Sequence, residues 1–299
     1  HWEVDDASSA FQQGHGTATT SAARRLSTFM QAEYPRLAIL QDARAQLGFQ
    51  GRLDVQSSGL VLCALSYEAH FVLQLRQDTF SIAREYIVLV HGHLSEDVCE
   101  LRLPVVASRG ASSFVHESGL PAVTCLHTCA LLWRSGEASA LQPYSLVFVS
   151  IVTGRKHQIR CHLAHIGHPV VCDGRYAADR VAEDATWCPR NFLHRFRLEL
   201  PAPSDSEHGA LAIVEAIVPL PPDLRAVLAD GGFSPATSSE LPAEQDEQQK
   251  RSAEALAAWS QGRVHTPRPR SPAMRSGVCA SEGGEVGGRK HLAGREGKK

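Results

Sequence analysis

The stretch Leu146-Val147-Phe148-Val149-Ser150-Ile151-Val152-Thr153-Gly154-Arg155-Lys156-His157-Gln158-Ile159-Arg160-Cys161-His162-Leu163 changes period in its middle. Up to Val152 it is apolar and rich in β-branched residues, which predicts a strand. After Thr153-Gly154, the residues Ile159, Leu163 and Ile166 recur at i, i+4 and i+7, so a short helix with one buried stripe follows. Gly167 suits the position after a helix end, and Pro169 stops continuation.

Working outward, residues 124–133 and 86–94 read as further strands, the latter carrying Ile87, Val88, Leu89 and Val90. Residues 59–65 read as a buried strand. Residues 67–77 place Phe71 and Leu75, and Ala69 and Leu73, at helical spacing. A helical pattern covers 24–48, with Leu26, Phe29 and Met30 on one face and a second part around Leu37, Leu40 and Ala43. Val170-Val171 resumes extended structure, and 192–200 and 211–218 are strand candidates. Strands and helices mix without a regular βαβ rhythm, which predicts α+β rather than a doubly wound sheet.

The domain is expected over residues 24–235. Residues 1–23 are polar and read as a loop. Beyond 236, Ser, Pro, Glu, Gln and Gly dominate, so 236–299 reads as a disordered tail with a short helix near 244–259. Residues 263–299 hold nine Lys/Arg against three Asp/Glu. That is a solvated end, or alternatively a weak steering tail for a polyanion. The whole chain has a formal net charge of −2, so it is no strongly basic nucleic-acid binder overall, and any such partner would need a local patch. Eight cysteines without a C-x-x-C pair read as reduced, buried thiols of an intracellular protein. No apolar run reaches the roughly 18 residues a membrane span needs. No signal peptide is visible. Because the chain starts at His1 rather than Met, cytoplasm, nucleus, mitochondrion and plastid all stay open.

Four polar clusters carry the chemistry. In Gly51-Arg52-Leu53-Asp54-Val55-Gln56-Ser57-Ser58-Gly59-Leu60, an extended backbone sets Arg52 and Asp54 on one face and Leu53 on the other, with a tight turn at Ser57-Ser58-Gly59. Taken alone, a surface ion pair explains this equally well. Arg84-Glu85-Tyr86 opens the apolar strand, where tyrosine is ordinarily core packing. Thr153 to Leu163 packs three Lys/Arg, two His and one Gln into a helix start, where positive side chains sit poorly. That suggests a site that binds phosphate or holds a carboxylate. Gly167-His168-Pro169 and Asp173-Gly174-Arg175-Tyr176 form a turn-rich loop. His162, His165 and His168 recur every three residues near Cys161 and Cys172, but the pattern drifts around the helix and lacks paired ligand spacing, so no metal is expected.

Together these blocks resemble the RluA family of RNA pseudouridine synthases. The family's His-Arg-Leu-Asp-x-x-Thr-Ser-Gly stands here as Gly51-Arg52-Leu53-Asp54-x-x-Ser57-Ser58-Gly59, and Lys-x-Tyr as Arg84-Glu85-Tyr86. Thr-Gly-Arg-x-His-Gln-Ile-Arg-x-His is intact from Thr153 to His162, and Phe192-Leu193-His194 matches the family's late Leu-His. The resemblance spans about 24–233. It departs at Gly51, Ser57, Lys156 and Cys172, and the family's Lys-Pro strand, which Trp2-Glu3-Val4-Asp5 would follow, is expected to be missing. The resemblance implies a mixed, largely antiparallel central sheet with flanking helices. It implies an isomerase that converts uridine to pseudouridine in tRNA or rRNA as a monomer, without metal, organic cofactor or membrane. Asp54 would be the catalytic carboxylate, attacking C1′ or promoting loss of a C2′ proton. Arg160 would be its ion-pair partner, and Tyr86 would pack on the uracil. Arg52 would fill the space of the extruded base. Arg155, Lys156, His157 and Gln158 would bind RNA. The competing reading is a non-catalytic RNA-binding relative, against which the joint retention of Asp54, Tyr86 and Arg160 argues.

Overall fold

A computed structural model of the chain describes residues 25–108, 112–135, 140–202, 213–236 and 244–265. The elements in chain order are α1 (Leu26–Glu33), two 3₁₀ turns (Ala38–Gln41 and Ala43–Gly48), β1 (Phe49–Gln50), β2 (Ser58–Gly59), β3 (Leu62–Cys63), α2 (Tyr67–Asp78), β4 (Ala83–His91), β5 (Glu100–Arg102), β6 (Val105–Val106) and β7 (Phe114–Val115). They continue with β8 (Val123–Ser135), β9 (Leu141–Ile151), α3 (Gln158–His165), α4 (Val181–Asp184), β10 (Leu193–Pro201), β11 (Ile213–Ile217), α5 (Pro222–Asp230), β12 (Phe233–Pro235) and α6 (Glu244–Ser260). The main sheet has eight strands, with the path β11-β10-β4-β9-β8-β12, β2 on β10 and β5 on β8. Every pairing in it is antiparallel except β2 with β10. The α+β expectation with a largely antiparallel sheet is therefore met.

The unbroken apolar run of β4 has a simple cause: both faces of the strand are covered. Ile87 and Leu89 enter one core with Leu132, Tyr144, Leu146, Phe192 and Phe196, while Tyr86, Val88 and Val90 enter another with Val147, Val149, Ile159 and Leu163. Helix α3 supplies Ile159 and Leu163 to the second core. It ends as expected: Gly167 has φ +86°, its N–H donates to Ala164 O, and the His168 N–H donates to Leu163 O.

Several expectations need correction. Of residues 24–48, only Leu26–Glu33 is α-helical; Pro35 follows and the rest folds into the two 3₁₀ turns, with Ile39 and Leu40 buried. Phe29 is exposed, whereas Met30 packs inward. The run at 59–65 is not one strand. It is split between β2, which joins β10, and β3, which joins β1. The tight turn lies at Asp54–Ser57, where the Ser57 N–H donates to Asp54 O, rather than at Ser57-Ser58-Gly59. Gly59 (φ +122°) packs so closely on the Arg195 backbone that a Cβ there would collide with it. On α2, Ala69 and Leu73 face the core, while Phe71 and Leu75 are exposed. Val170 forms an isolated bridge with Val90, not a strand.

The helix expected near 244–259 is present, and the correction concerns its setting, which is the folded core and not a disordered tail. Residues Glu244–Ser260 form α6, which packs against the sheet beside α5. Trp259 is fully buried with Phe196, and the Ser252 hydroxyl accepts the Leu131 N–H at 3.1 Å. Sparse apolar residues misled the composition argument, because Ala255, Ala258 and Trp259 suffice for one buried stripe. Residues 1–24, including Trp2–Asp5, and 266–299 lie outside the described residues. No described helix is long and apolar enough to cross a membrane.

Trp259→Ala is expected to cost about 3–5 kcal/mol through loss of burial and the cavity left behind. Glu254→Ala, on the exposed side of the same helix, should stay within about 0.5 kcal/mol. Urea unfolding midpoints measure both; equal midpoints would remove α6 from the folded core.

Candidate active site

Residue 54 sits on an irregular segment between β1 and β2, and three contacts fix that segment. Leu53 packs on the core beneath α3. Arg190, itself paired with Asp223 (Nε–Oδ2 2.7 Å), donates to the Gln56 carbonyl (3.2 Å) and the Ser58 hydroxyl (3.0 Å). The Asn191 amide, fully buried and oriented as its neighbours demand, donates to Gln56 Oε1 (2.6 Å) and the Cys172 carbonyl (2.7 Å) and accepts from Arg160 Nε (3.3 Å).

Arg160 projects from α3 and meets two carboxylates. Its Nη1 donates to Asp54 Oδ2 at 2.7 Å, while Nε and Nη2 grip Asp173 Oδ2 and Oδ1 at 2.6 and 2.7 Å. The Arg160 side chain is 8% exposed, that of Asp173 0% and that of Asp54 27%. Asp173 Oδ1 also accepts the backbone N–H groups of Arg175 and Tyr176. Burial works against the Arg160 charge, but the hydrogen bonds and charge of Asp173, and then Asp54, outweigh it and hold the pKa above the ordinary arginine value.

His157 caps α3 in the left-handed region (φ 54°) with Nε2 3.8 Å from Asp54 Oδ1 and Nδ1 3.1 Å from the Tyr176 hydroxyl. Burial, partly opposed by Asp54, lowers its pKa below the usual histidine value, so the ring is neutral at pH 7. Tyr176 is held by Ser113, donating to its carbonyl and accepting its N–H, and burial pushes its hydroxyl up to about 12.

Two adjoining cavities open on Asp54. The larger, about 1200 Å³, is bordered by Arg44, Arg52, Arg155, Lys156, Arg160 and Arg175 against Asp42, Asp54 and Asp78. A chain of net charge −2 thus concentrates positive charge at this cleft. The smaller, about 120 Å³, is bordered by Asp54, Tyr86, Arg160, Arg84, Arg195 and Leu193. Tyr86 is 6% exposed there.

The structure therefore brings together Asp54, Tyr86 and Arg160, with Arg52, Arg155, Lys156 and His157 around the opening. Arg155 Nε donates to Pro121 O and Lys156 Nζ to Ser108 O. Gln158 is a correction: it is 3% exposed and its amide is consumed inside the protein. Oε1 accepts from Thr153 Oγ1 and the Arg155 N–H, and Nε2 donates to Val123 O and Thr124 Oγ1, so no hydrogen-bonding capacity remains for RNA. It braces the loop at Gly154 against β8. The histidine series diverges: His162 bonds Thr124 Oγ1 and Leu103 O, while His168 bonds His91 O. Among the described residues no group of three or more His, Cys, Asp or Glu is arranged to hold a metal.

Asp173 lies in a turn motif that assigns it no task, and Asn191, Arg190 and Arg195 lie outside the motifs. Asp173 could have been found by asking which acid neutralises a buried arginine that already serves Asp54. Arg195 carried no signal, because a charged residue in a strand ordinarily faces solvent.

A family model described as RNA pseudouridylate synthase matches residues 15–165. The chain is 35% identical over 182 residues to the tRNA pseudouridine synthase C of Salmonella typhimurium, covering 56% of this chain and 69% of that protein. It is also 35% identical over 189 residues to the ribosomal large subunit pseudouridine synthase D of Nitrosomonas europaea, covering 60% and 50%. The solved structure of human RNA Pseudouridylate Synthase Domain Containing 1 superposes with a TM-score of 0.54 over 84% of this chain and 88% of that one, at 23% identity, a likeness of fold.

Asp173→Ala leaves the buried Arg160 guanidinium short of its main partner and should cost about 3–5 kcal/mol in urea unfolding. Asp54→Ala, whose carboxylate is partly solvated, should cost distinctly less. Equal losses would contradict the division between an anchoring and an exposed carboxylate.

Proposed function

The chain belongs to the RluA family of RNA pseudouridine synthases, and on that premise we propose that Asp54 is the carboxylate through which it isomerises uridine to pseudouridine in RNA. The observation that carries this reading is the 2.7 Å ion pair from Arg160 to Asp54 at the junction of the two cavities. A carboxylate that is to act at a ribose must stay ionised in a partly dry site, and a fixed guanidinium favours the charged form. Arg160 cannot drift away when Asp54 moves, because Asp173 holds its other edge.

In this reading the RNA backbone follows the larger cleft, where Arg44, Arg52, Arg155, Lys156 and Arg175 offset the phosphates. The target nucleotide leaves its stack and presents C1′ to Asp54, with the base entering the smaller cavity against Tyr86. Arg52 stands at the mouth of both cavities, where it can occupy the vacated place. His157, neutral at pH 7, leaves Asp54 to the ribose. The chemistry asks for no metal or organic cofactor, and a single chain supplies every group named. Since the similar proteins are named for tRNA and for the large ribosomal subunit, both RNA classes are candidate substrates.

A binding-only protein would gain nothing from a carboxylate facing a cleft that receives phosphates, which it would repel. Asp54→Asn separates the two readings: pseudouridine formation should fall to background while RNA affinity stays within about threefold, since one surface-level charge contact is worth little. Pseudouridine mapping of total RNA from cells with and without the protein identifies the substrate. Undiminished product formation by the variant would remove Asp54 from the chemistry.

Protonation of His157 at acid pH sets a cation opposite Asp54 and charges a group that burial keeps neutral. The rate of the wild type should therefore fall as pH drops below the ordinary histidine range, since the His157 pKa is held beneath it, with a smaller fall for His157→Asn. Superimposable pH profiles would show that the imidazole has no part in the acid limb.

A further inference from the structure

Arg195 is buried in a way the fold alone does not require. It lies on β10 directly opposite Tyr86 on β4, is 3% exposed, and has its guanidinium carbon 5.6 Å from the centre of the Tyr86 ring. Its Nε and Nη2 are buried and make no hydrogen bond, and no carboxylate of the described residues pairs with it. These two donors form the same side-on edge with which Arg160 grips Asp173. In Arg195 that edge has no acceptor. Beside it lies a second cation, Arg84, 9% exposed, whose Nη2 donates to Val152 O at 2.6 Å while its Nε lacks a partner. Both side chains border the 120 Å³ cavity that also reaches Asp54 and Tyr86.

A buried donor without an acceptor is costly, and two neighbouring cations without an acid are costlier still. Nor can the strand relax to relieve them. The Arg195 carbonyl accepts the Leu60 N–H at 3.0 Å, and Gly59 abuts the Arg195 backbone without room for a Cβ. Such a pre-set pair of donors marks a place for an electron-rich group that arrives from outside. Phosphates are met at the outer cleft by other residues, so the inner cavity is left for the base.

The reaction supplies the matching charge. When the N1–C1′ bond of uridine breaks, its electron pair stays on uracil and spreads over N1, O2 and O4. The C5–C1′ bond then forms, a proton leaves C5 and one is returned to N1, so reactant and product are isomers. We propose that Arg195 is a further catalytic residue, whose Nε and Nη2 receive a uracil carbonyl oxygen and stabilise the anionic base between departure and return. This rests on the reading of Asp54 as the reacting carboxylate. Arg84 adds positive potential beneath the same cavity. The contact strengthens as charge develops on the oxygen, so it acts on the rate more than on binding.

The test uses the full chain, with transcripts of the mapped RNA carrying uridine, 2-thiouridine or 4-thiouridine at the target. Arg195→Met, which keeps buried bulk but removes the donors, should lower kcat by about 100-fold, with KM within about threefold. Sulfur at the contacted position is a poorer acceptor; it should slow the wild type yet add nothing further in Arg195→Met. Arg195→Lys keeps charge and stem; it should show a smaller loss of rate and the same blunted response to sulfur, and it carries the test if the methionine variant does not fold. The proposal is overturned by a variant within threefold of the wild-type rate, by sulfur effects of equal size in wild type and variant, or by a wild type indifferent to both sulfurs. A wild type that forms no pseudouridine in any RNA would remove the Asp54 reading and this one together, whereas an active wild type with an indifferent variant removes only Arg195.

Discussion

A guanidinium that is 8% exposed must bring its counterions with it, and Arg160 brings two. The edge formed by Nε and Nη2 is taken by Asp173, and the remaining Nη1 by Asp54. Because the guanidinium is planar and rigid, fixing one edge fixes the direction of the other. Asp173 is fixed in turn by the turn that follows it, whose N–H groups at Arg175 and Tyr176 point into its carboxylate. One cation thereby locks the Asp54 segment, 106 residues away, to the helix and the turn that carry Arg160 and Asp173, and the carboxylate at the free end keeps some contact with solvent. A lysine, a single point charge on a flexible stem, could satisfy one acid or the other but could not transmit the geometry.

The sheet makes that arrangement possible by being covered on both sides. One face of β4 carries Ile87 and Leu89 into the core closed by α5 and α6, and there Trp259 lies against Phe196. The other face carries Tyr86 and Val88 into the core beneath α3, with Tyr86 bordering the smaller cavity. The first face is packed into the larger core and the second borders the candidate site, and a single strand serves both. The same separation holds for charge. The chain as a whole is slightly acidic, yet its basic residues gather at the cleft, so the global balance said little about the local field.

What could be read from the sequence follows from how locally each feature is encoded. The α3 stripe, its glycine end and the double-sided run of β4 depend on neighbours within about ten residues, and these were legible. So was the juxtaposition of Asp54, Tyr86 and Arg160 around one cavity, through the resemblance of their surrounding motifs. The orientation of a polar side chain about its own element was not legible. Gln158 lies in a motif full of cations, yet its amide turns inward to Thr153, Val123 and Thr124. Phe71 and Leu75 share helical spacing with Ala69 and Leu73 but take the solvent side. Pairings across more than a hundred residues, such as Arg190 with Gln56 or Ser252 with Leu131, left no trace in composition, and so α6 was read as part of a tail.

Arg160 and Arg195 show how the state of an edge separates two uses of one side chain. Both are nearly excluded from water and both border the smaller cavity. In Arg160 the side-on edge is saturated by Asp173, so the residue is a fixture: its bonds are complete before any substrate arrives, and it can only orient what it already holds. In Arg195 that edge has no acceptor, so the folded chain carries an unmet cost there. The cost persists because β2 and β4 hold the Arg195 backbone from both sides. An acceptor that enters relieves this cost, and an acceptor whose charge grows during the reaction relieves more of it at the transition state than at binding. Saturation of the first arginine and non-saturation of the second are therefore complementary: one keeps the acid in place, and the other keeps donors without an acceptor beside the cavity proposed for the base.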